Sequence, residues 1–327
     1  MKPYDIQPLT DRFPGKIQTH VDMSRFTTYK VGGPADIFLE VVKTDDLIDA
    51  ITIARASAIP LTIIGGGSNI LVGDKGIRGM VVKNSSNTIR TMGMKGAIHK
   101  GISSKTTYVQ ADSGVPMNTL VRFTIEEGLS GLEMHLGLPG TVGGAVYMNA
   151  KWGHPLTYIG DVLYQATILT PRNTIVTTGR DYFRFGYDTS TIQTTGDIVI
   201  HVTFQLQGGE THRIWETANQ NIQYRFATQP QGVFTAGCVF RNIPQSVVEE
   251  KGLPVAASSA GYLIDKAGLK GSEEGGASFS RDHANFIVTS PKANALDVIK
   301  LIERARLQVK KKFGITLEEE IIRLGEF

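Results

Sequence analysis

The feature that most constrains this chain is a triple glycine at residues 65–67, which lies between two apolar segments and is followed at once by Ser68 and Asn69. The first apolar segment, residues 61–64, suits a buried strand. Because glycine has no Cβ, such a turn lets the backbone approach a diphosphate closely, and the next two residues add a hydroxyl and an amide. A tight hairpin between two core strands explains the glycines equally well, so both interpretations stay open at this point.

A second glycine cluster lies further along the chain, at Gly137, Gly140, Gly143 and Gly144. Its spacing is neither the G-x-G-x-x-G fingerprint of a strand–turn–helix dinucleotide site nor the G-x-x-x-x-G-K-[ST] sequence of a P-loop. Two separate glycine-rich loops suit a large, extended ligand that contains a diphosphate. A dinucleotide such as FAD fits that description.

The composition is that of an ordinary globular protein, with 327 residues of which 41% are hydrophobic, and this length suggests two or three domains. A formal net charge of +3 is too small to indicate a nucleic-acid partner. The single cysteine excludes an internal disulfide, and no stretch approaches the roughly 20 apolar residues of a membrane span. The first residues lack the apolar core of a signal peptide, so we expect a cytoplasmic protein without a membrane partner.

Strand and helix patterns alternate along the chain and predict an α/β organisation. The clearest helix covers residues 294–312, where apolar residues recur at helical spacing before Gly314. Residues 86–105 are polar and interrupted by glycine, which indicates a hairpin or loop. The other predicted strands are 35–42, 61–64, 79–83 and 108–111, with β-rich runs inside 162–206, and the other predicted helices are 45–56 and 116–127.

Cys238 lies in the segment FTAGCVFRN, directly after a glycine. A free cysteine is usually a buried small hydrophobic residue. A thiol with a reference pKa of about 8.5 also donates a proton near neutral pH more readily than a serine hydroxyl does. With Arg241 and Asn242 following, the turn suits a thiol beside an anionic ligand, and the residues alone do not choose between these two roles.

The last segment, FGITLEEEIIRLG, contains three consecutive glutamates at residues 318–320. Such a run is normally solvated surface, but the apolar residues around it alternate as in a strand, which would point one glutamate into a cleft. The sequence does not choose which one. His283 lies in SFSRDHANFIV without a partner at metal-ligand spacing, so we expect a structural or ligand-contacting histidine and no metal site.

Seven segments, taken together and in order, resemble the UDP-N-acetylenolpyruvoylglucosamine reductase (MurB) family. The resemblance runs from about residue 20 to the end, and the compact HANFIV and GLKG segments resemble the second structural type of that family. The segments are TTYKVGGPADIF, IIGGGSNILV, GLSGLEMHLGLPGTVGGAVYMNA, AGCVFRN, GYLIDKAGLKG, HANFIV and FGITLEEEIIRLG.

The resemblance implies an α+β / α/β fold, with a two-lobed FAD-binding domain of the vanillyl-alcohol-oxidase (PCMH) type and a C-terminal α/β substrate domain. The implied divisions are a first FAD-binding lobe at residues 1–90, a second at 91–227, a UDP-sugar domain at 228–314 and a strand at 315–327 that returns to the first lobe. A monomer is expected.

The activity implied by the resemblance is an NADPH-dependent reduction of UDP-N-acetylglucosamine enolpyruvate to UDP-N-acetylmuramate through FAD. Hydride passes from flavin N5 to the β-carbon of the enol ether, and an acid protonates the α-carbon. The family's proton donor is usually a serine, and Cys238 stands at that position. The family's terminal glutamate falls on Glu320, which would stabilise or protonate the intermediate.

The remaining site residues are carried over from the family's motifs in the same way. The residues implied to contact the UDP-sugar are Tyr187, Arg225, Arg241, Asn242 and His283. The residues implied to hold FAD are Gly65, Gly66, Gly67, Ser68, Asn69, Gly140, Thr141, Gly143 and Gly144.

Two segments depart from the family's pattern. Where the family usually has Tyr-Arg-x-Ser, residues 187–190 read Tyr-Asp-Thr-Ser, so Asp188 replaces an arginine expected to polarise the substrate carboxylate. An aspartate would repel that anion, and Arg184 is the predicted replacement. Residues 149–155 also differ from the family's usual Asn-Ala-Gly-Ala-Tyr-Gly.

Two other functions compete with the reductase. One is a related flavin oxidase acting on a sugar or lactone, against which no histidine or cysteine stands where covalent flavin attachment can be argued. The other is a non-catalytic nucleotide-binding protein, an interpretation motivated by Asp188.

Overall fold

Residues 4–99, 102–153 and 155–327 are described by the computed structural model of this protein. Contacts divide the chain into two compact units. Unit 1 comprises Met1–Ile17, Leu39–Gly66 and Val81–Arg225, and unit 2 comprises Gln18–Phe38, Gly67–Met80 and Phe226–Phe327. The four segments drawn from the resemblance remain a prediction.

The helices and strands follow one another in an α/β order. The α-helices are α1 (Gln7–Arg12), α2 (Thr44–Ala56), α3 (Met117–Glu126), α4 (Val142–Met148), α5 (Ile192–Thr195), α6 (Thr211–Thr228), α7 (Gln245–Glu250), α8 (Ala260–Lys266) and α9 (Ala295–Phe313). The strands are β1 (Gln18–Asp22), β2 (Pro34–Val41), β3 (Leu61–Ile64), β4 (Ile70–Val72), β5 (Ile77–Asn84), β6 (Ile89–His99), β7 (Ile102–Asp112), β8 (Leu129–Ser130), β9 (Lys151–Gly153), β10 (Leu156–Tyr158), β11 (Leu163–Leu169), β12 (Ile175–Gly179), β13 (Ile198–Gly208), β14 (Glu273–Glu274), β15 (Ala277–Phe279), β16 (Ile287–Thr289) and β17 (Ile322–Leu324). Short 3₁₀ helices cover Met23–Phe26, Glu133–His135, Ile159–Asp161, Arg180–Phe183 and Val255–Ser258.

Unit 1 is built around an antiparallel sheet with the strand order β12-β11-β13-β7-β6, to which β8 adds by pairing with β13. Alternate residues of β13, among them Val202 and Phe204, are buried together with Leu120 of α3 and Val146 of α4. The unit also holds the ends of β2 and β5, which lie beside β3 in the order β2-β5-β3. These elements position the two loops that leave β3 and precede α4.

Unit 2 is built around α9 and the antiparallel sheet β14-β15-β16. Asn294 and Asp297 form a capping box at the start of α9, and Gly314, at φ 68°, ends it in the left-handed conformation. Val298 and Ile302 belong to its buried face. In the same unit β17 pairs in parallel with β4, which brings the end of the chain beside the segment after the triple glycine.

Most predicted elements are confirmed. The helix predicted over 294–312 is α9, and the segment 86–105 forms the β6–β7 hairpin, of which residues 100 and 101 lie outside the described part. The tail differs in one respect. Its alternating apolar residues are buried, but the regular strand begins only at Ile322, because residues 318–320 pair with the Cys238 segment through isolated bonds.

Within the described residues, none of the helices combines the length and apolar character needed to cross a membrane.

Candidate functional site

In unit 1 the two glycine-rich loops lie against each other. A Cβ on Gly65 would stand 2.2 Å from Thr141 Oγ1, and a Cβ on Gly66 would stand 2.8 Å from the Cα of Gly140. Neither separation is compatible with a side chain, so the packing itself demands glycine. The two loops therefore pack together without room for a side chain at Gly65 or Gly66.

The second loop is held by a turn that the sequence analysis did not single out. Gly143 donates its N–H to the carbonyl of Ser113 at 2.8 Å, and Val142 donates to Val115 at 2.9 Å. Ser113 in turn accepts a bond from Asn84 Nδ2 at 2.8 Å, and both side chains are buried. The signal was present in the dipeptide Ser113-Gly114, since a Cβ on Gly114 would stand 2.4 Å from the Ser86 nitrogen.

Three glycines, Gly65, Gly66 and Gly140, lie where the loops meet, and residues without side chains there fit the close approach of a diphosphate, as FAD binding requires. Thr141 caps α4, because its Oγ1 accepts the N–H of Gly144 at 3.5 Å. The N–H groups of Gly143 and Gly144 thus have partners inside the protein. Gly143 is also closely packed, since a Cβ there would stand 3.0 Å from the Ser113 Cβ, whereas a Cβ on Gly144 would make only ordinary contact.

Gly67, Ser68 and Asn69 belong to unit 2. Gly67 adopts φ 65°, and a Cβ there would stand 2.0 Å from the carbonyl oxygen of Phe26. Asn69 Nδ2 donates to the carbonyl of Glu320 at 3.1 Å, while the Asn69 carbonyl accepts the N–H of Ile322 at 2.9 Å. The predicted loop asparagine therefore fixes the backbone of the predicted terminal glutamate.

The Cys238 turn lies between two other segments of unit 2. Val239 donates its N–H to the carbonyl of Asn285 at 2.8 Å and accepts the N–H of Glu320 at 2.8 Å. Cys238 itself pairs with Phe286 in an isolated antiparallel bridge, and its side chain is partly exposed. The turn is thus held against the HANFIV segment on one side and the acidic tail on the other.

The three tail glutamates have different surroundings. The Glu319 carboxylate receives Arg306 Nη2 at 2.6 Å and Arg323 Nε at 2.7 Å, which commits it to an ion-pair cluster. Glu318 is exposed, whereas Glu320 is half-buried beside the Cys238 turn. Of the three, Glu320 is the one whose backbone N–H bonds to Val239, the residue after Cys238, and its role near the thiol remains a prediction.

The other predicted residues of unit 2 surround the same turn. Asn242 Oδ1 accepts the N–H of Ala260 at 3.3 Å, and Arg241 donates its backbone N–H to Glu318 at 2.9 Å. His283 Nδ1 accepts the N–H of Asn285 at 3.2 Å, and burial lowers the pKa of its imidazole. His283 is therefore neutral near pH 7 and positions the segment that pairs with Cys238.

Comparison with known proteins decides the family. Residues 229–324 match "UDP-N-acetylenolpyruvoylglucosamine reductase, C-terminal domain", and residues 35–179 match "FAD binding domain". A curated UDP-N-acetylenolpyruvoylglucosamine reductase of Chlamydia muridarum is 36% identical over 313 residues, which are 96% of this chain and 96% of that protein. The chain belongs to the UDP-N-acetylenolpyruvoylglucosamine reductase family.

Two further members of the family show the same extent of likeness. The reductase of Halalkalibacterium halodurans is 35% identical over 95% of both chains. The crystal structure of UDP-N-acetylenolpyruvylglucosamine reductase from Thermus caldophilus is 30% identical, with a TM-score of 0.75 over 94% of this chain and 99% of that chain. The fold class predicted from the resemblance is confirmed.

At Asp188, where the sequence departs from the family's pattern, the structure shows an ion pair. Asp188 is buried and forms an ion pair with Lys151, whose Nζ also lies 4.1 Å from the centre of the Tyr187 ring. Arg184, the predicted replacement, is exposed and adopts φ 41° at the end of a short 3₁₀ helix. The cation beside Asp188 is therefore Lys151, which the sequence analysis missed although it belongs to the divergent segment 149–155.

Arg225, the predicted substrate contact of unit 1, stacks on the residue after Lys151. Its guanidinium carbon lies 4.0 Å from the centre of the Trp152 ring, and the Trp152 indole donates to Asn221 at 3.1 Å. The short strand β9 thus connects Tyr187 and Arg225, two residues far apart in sequence.

Proposed function

We propose that this protein is an FAD- and NADPH-dependent reductase that converts UDP-N-acetylglucosamine enolpyruvate into UDP-N-acetylmuramate, a precursor of peptidoglycan. The observation that carries the proposal is the position of the Cys238 turn between the HANFIV segment and Glu320. Membership of the family supports the same activity.

The reaction adds a hydride and a proton across the enol double bond of the substrate. FAD reduced by NADPH would supply the hydride, and Gly65, Gly66 and Gly140 would lie against its diphosphate. The chain must supply the proton at the carbon next to the carboxylate. Cys238 is our candidate donor, because backbone hydrogen bonds hold its turn in place and a thiol can donate a proton to a basic carbon.

Glu320 would support that step from the adjacent segment. Its backbone is tied to Val239 and Asn69 by hydrogen bonds of 2.8 and 3.1 Å, so its position relative to the Cys238 turn is fixed. A carboxyl group so placed stabilises a developing enol or donates a proton to it. Arg241 and Asn242 follow Cys238 directly and would bind polar groups of the UDP-sugar.

The protein would act in the cytoplasm, where NADPH and UDP-sugars are available, and as a monomer. Its product enters cell-wall synthesis, so cell shape and division would depend on it. The non-catalytic alternative rested on the charge of Asp188, and Lys151 compensates that charge.

The test uses two substitutions at one position. In rapid-mixing experiments with the prereduced protein and the enolpyruvyl ether, Cys238→Ala should slow flavin reoxidation by about 100- to 10,000-fold, and Cys238→Ser should retain most of the rate. Bleaching of the flavin by NADPH should be unchanged in both. Hydrogen peroxide should inactivate the native protein and spare Cys238→Ser. Reoxidation of Cys238→Ala at the native rate would contradict the assignment of the proton donor.

A further inference from the structure

The Lys151–Asp188 ion pair lies where the chain departs from its family in two segments at once. The Asp188 side chain is 3% exposed and that of Lys151 is 18% exposed. Burying a carboxylate and an ammonium costs several kcal/mol in desolvation, which their attraction only roughly offsets. Stability is therefore a weak reason for this pair to exist.

The backbone around the pair is held in place from several sides. Asn149, at φ 46°, ends α4 in the left-handed conformation and donates from Nδ2 to Gly186 at 2.9 Å. Its Oδ1 accepts the N–H of Gly160 at 3.1 Å. Gln193 Nε2 donates to the carbonyl of Asp188 at 3.1 Å. The positions of the ammonium and the carboxylate are thus set before any ligand binds.

The ammonium remains reachable from the surface. Lys151 Nζ lies over the face of Tyr187, which is 37% exposed. An ammonium has three N–H donors and so binds Asp188 and a ligand oxygen together. Lys151 therefore holds an ammonium in a fixed position beside a partly exposed ring, which suits an anionic oxygen of a ligand.

We propose that Lys151 binds an oxyanion of the substrate, either its carboxylate or its diphosphate, and that Asp188 is the positioning residue for the Lys151 ammonium. This inference rests on the proposed function. In this chain the cation would have moved from position 188, where the family's pattern has arginine, to position 151, with a carboxylate left behind to orient it.

The test compares three double variants. Lys151→Gln/Asp188→Asn removes both charges and leaves no buried charge uncompensated. Lys151→Gln/Asp188→Arg returns the cation to position 188. Lys83→Gln/Glu40→Gln is the matched control, since it removes another ion pair of unit 1 that has no place in the proposed site.

Titration of the native protein comes first. If NADPH bleaches its flavin and the enolpyruvyl ether does not restore the colour, the proposed function is wrong, independently of Lys151. If both steps occur, Lys151→Gln/Asp188→Asn should bind FAD and react with NADPH normally, but its Kd for the ether should rise about 10- to 100-fold. The control pair should leave that Kd unchanged, and Lys151→Gln/Asp188→Arg should recover part of the affinity.

UDP-N-acetylglucosamine, which has the diphosphate and no carboxylate, distinguishes the two oxyanions. A loss confined to the ether assigns Lys151 to the carboxylate, and an equal loss for both ligands assigns it to the diphosphate. Native affinity in Lys151→Gln/Asp188→Asn would overturn the proposal. If that variant fails to hold FAD, Lys151→Met/Asp188→Leu, which removes both charges with apolar side chains, takes its place, and native ether affinity in that variant would overturn the proposal.

Discussion

Unit 1 contains two contacts between distant segments of the chain, and the two contacts are made by different groups. The glycine loops meet through backbone, with Gly66 lying against Gly140, whereas the segments after α4 and after Arg184 meet through the side chains of Lys151 and Asp188. The first contact leaves no room for another residue and repeats a family motif. The second joins an ammonium and a carboxylate at two positions where the sequence departs from the family's pattern. Backbone contacts thus restrict the sequence more tightly than charges do.

The largest effect is expected from removing one member of the charged contact. Lys151→Met leaves the Asp188 carboxylate buried without its ammonium partner, so the free energy of unfolding should fall by about 3 kcal/mol or more. Urea denaturation measures this, and adding Asp188→Asn should recover most of the loss. A change below about 1 kcal/mol would show that this contact tolerates substitution freely.

A pH dependence should arise from His135, just before the second glycine cluster. The side chain is 1% exposed, and burial, reinforced by the charge of Arg225, lowers its pKa to about 4. In the unfolded chain the pKa is about 6.5, so the unfolded state takes up the proton first as the pH falls. The contribution of neutral His135 to the free energy of unfolding is therefore fully present above about pH 6.5, and it should fall by about 3 kcal/mol as the pH approaches 4.

Urea denaturation between pH 7 and pH 4 tests this dependence. In His135→Leu the free energy of unfolding should fall less steeply with decreasing pH than in the native protein. His212→Gln, at an exposed histidine of α6, is the control and should keep the native slope. The same slope in both variants would exclude His135 as its source.

The backbone contact is tested by adding one methyl group. Gly65→Ala places a Cβ 2.2 Å from Thr141 Oγ1 and should cost about 2 kcal/mol of stability together with a loss of bound FAD. Gly179→Ala, where no atom lies within 4 Å, should cost much less. Thr141→Ala should partly relieve Gly65→Ala but not Gly66→Ala, whose obstacle is backbone. Equal stability and equal FAD content of Gly65→Ala and Gly179→Ala would contradict the close contact between Gly65 and Thr141.

The smallest effect is expected at Tyr29 in unit 2. Its hydroxyl is fully buried, with no hydrogen-bond partner among the described residues, and burial raises the pKa of the phenol. Since Tyr29→Phe removes a polar atom that makes no bond there, stability should stay constant or rise by up to about 1 kcal/mol. Thermal unfolding measures this, and a loss above 1 kcal/mol would reveal a role for the hydroxyl.

The parts of the fold that the sequence predicts are those whose signals lie within the element itself. α9 carries its own cap, apolar face and glycine stop between Asn294 and Gly314, and its bounds followed from these alone. The need for glycine at 65, 66 and 140 was likewise visible, although only the structure shows that these residues face one another.

The parts that sequence did not predict depend on partners distant in the chain. The ion pair that distinguishes Glu319 from Glu320 includes Arg306 of α9, and nothing in the tail segment indicates that this arginine faces Glu319. Lys151 was overlooked because its partner Asp188 was read as a lost cation rather than as half of an ion pair. The roles assigned to the individual site residues remain predictions.

The most direct measurement is an anaerobic titration of the purified protein, followed by the flavin absorbance. We expect NADPH to bleach the flavin bands and the enolpyruvyl ether of UDP-N-acetylglucosamine to restore them, with UDP-N-acetylmuramate as the product. Bleaching without recovery would contradict the proposed substrate, and a protein that binds no FAD would contradict the role given to the glycine loops.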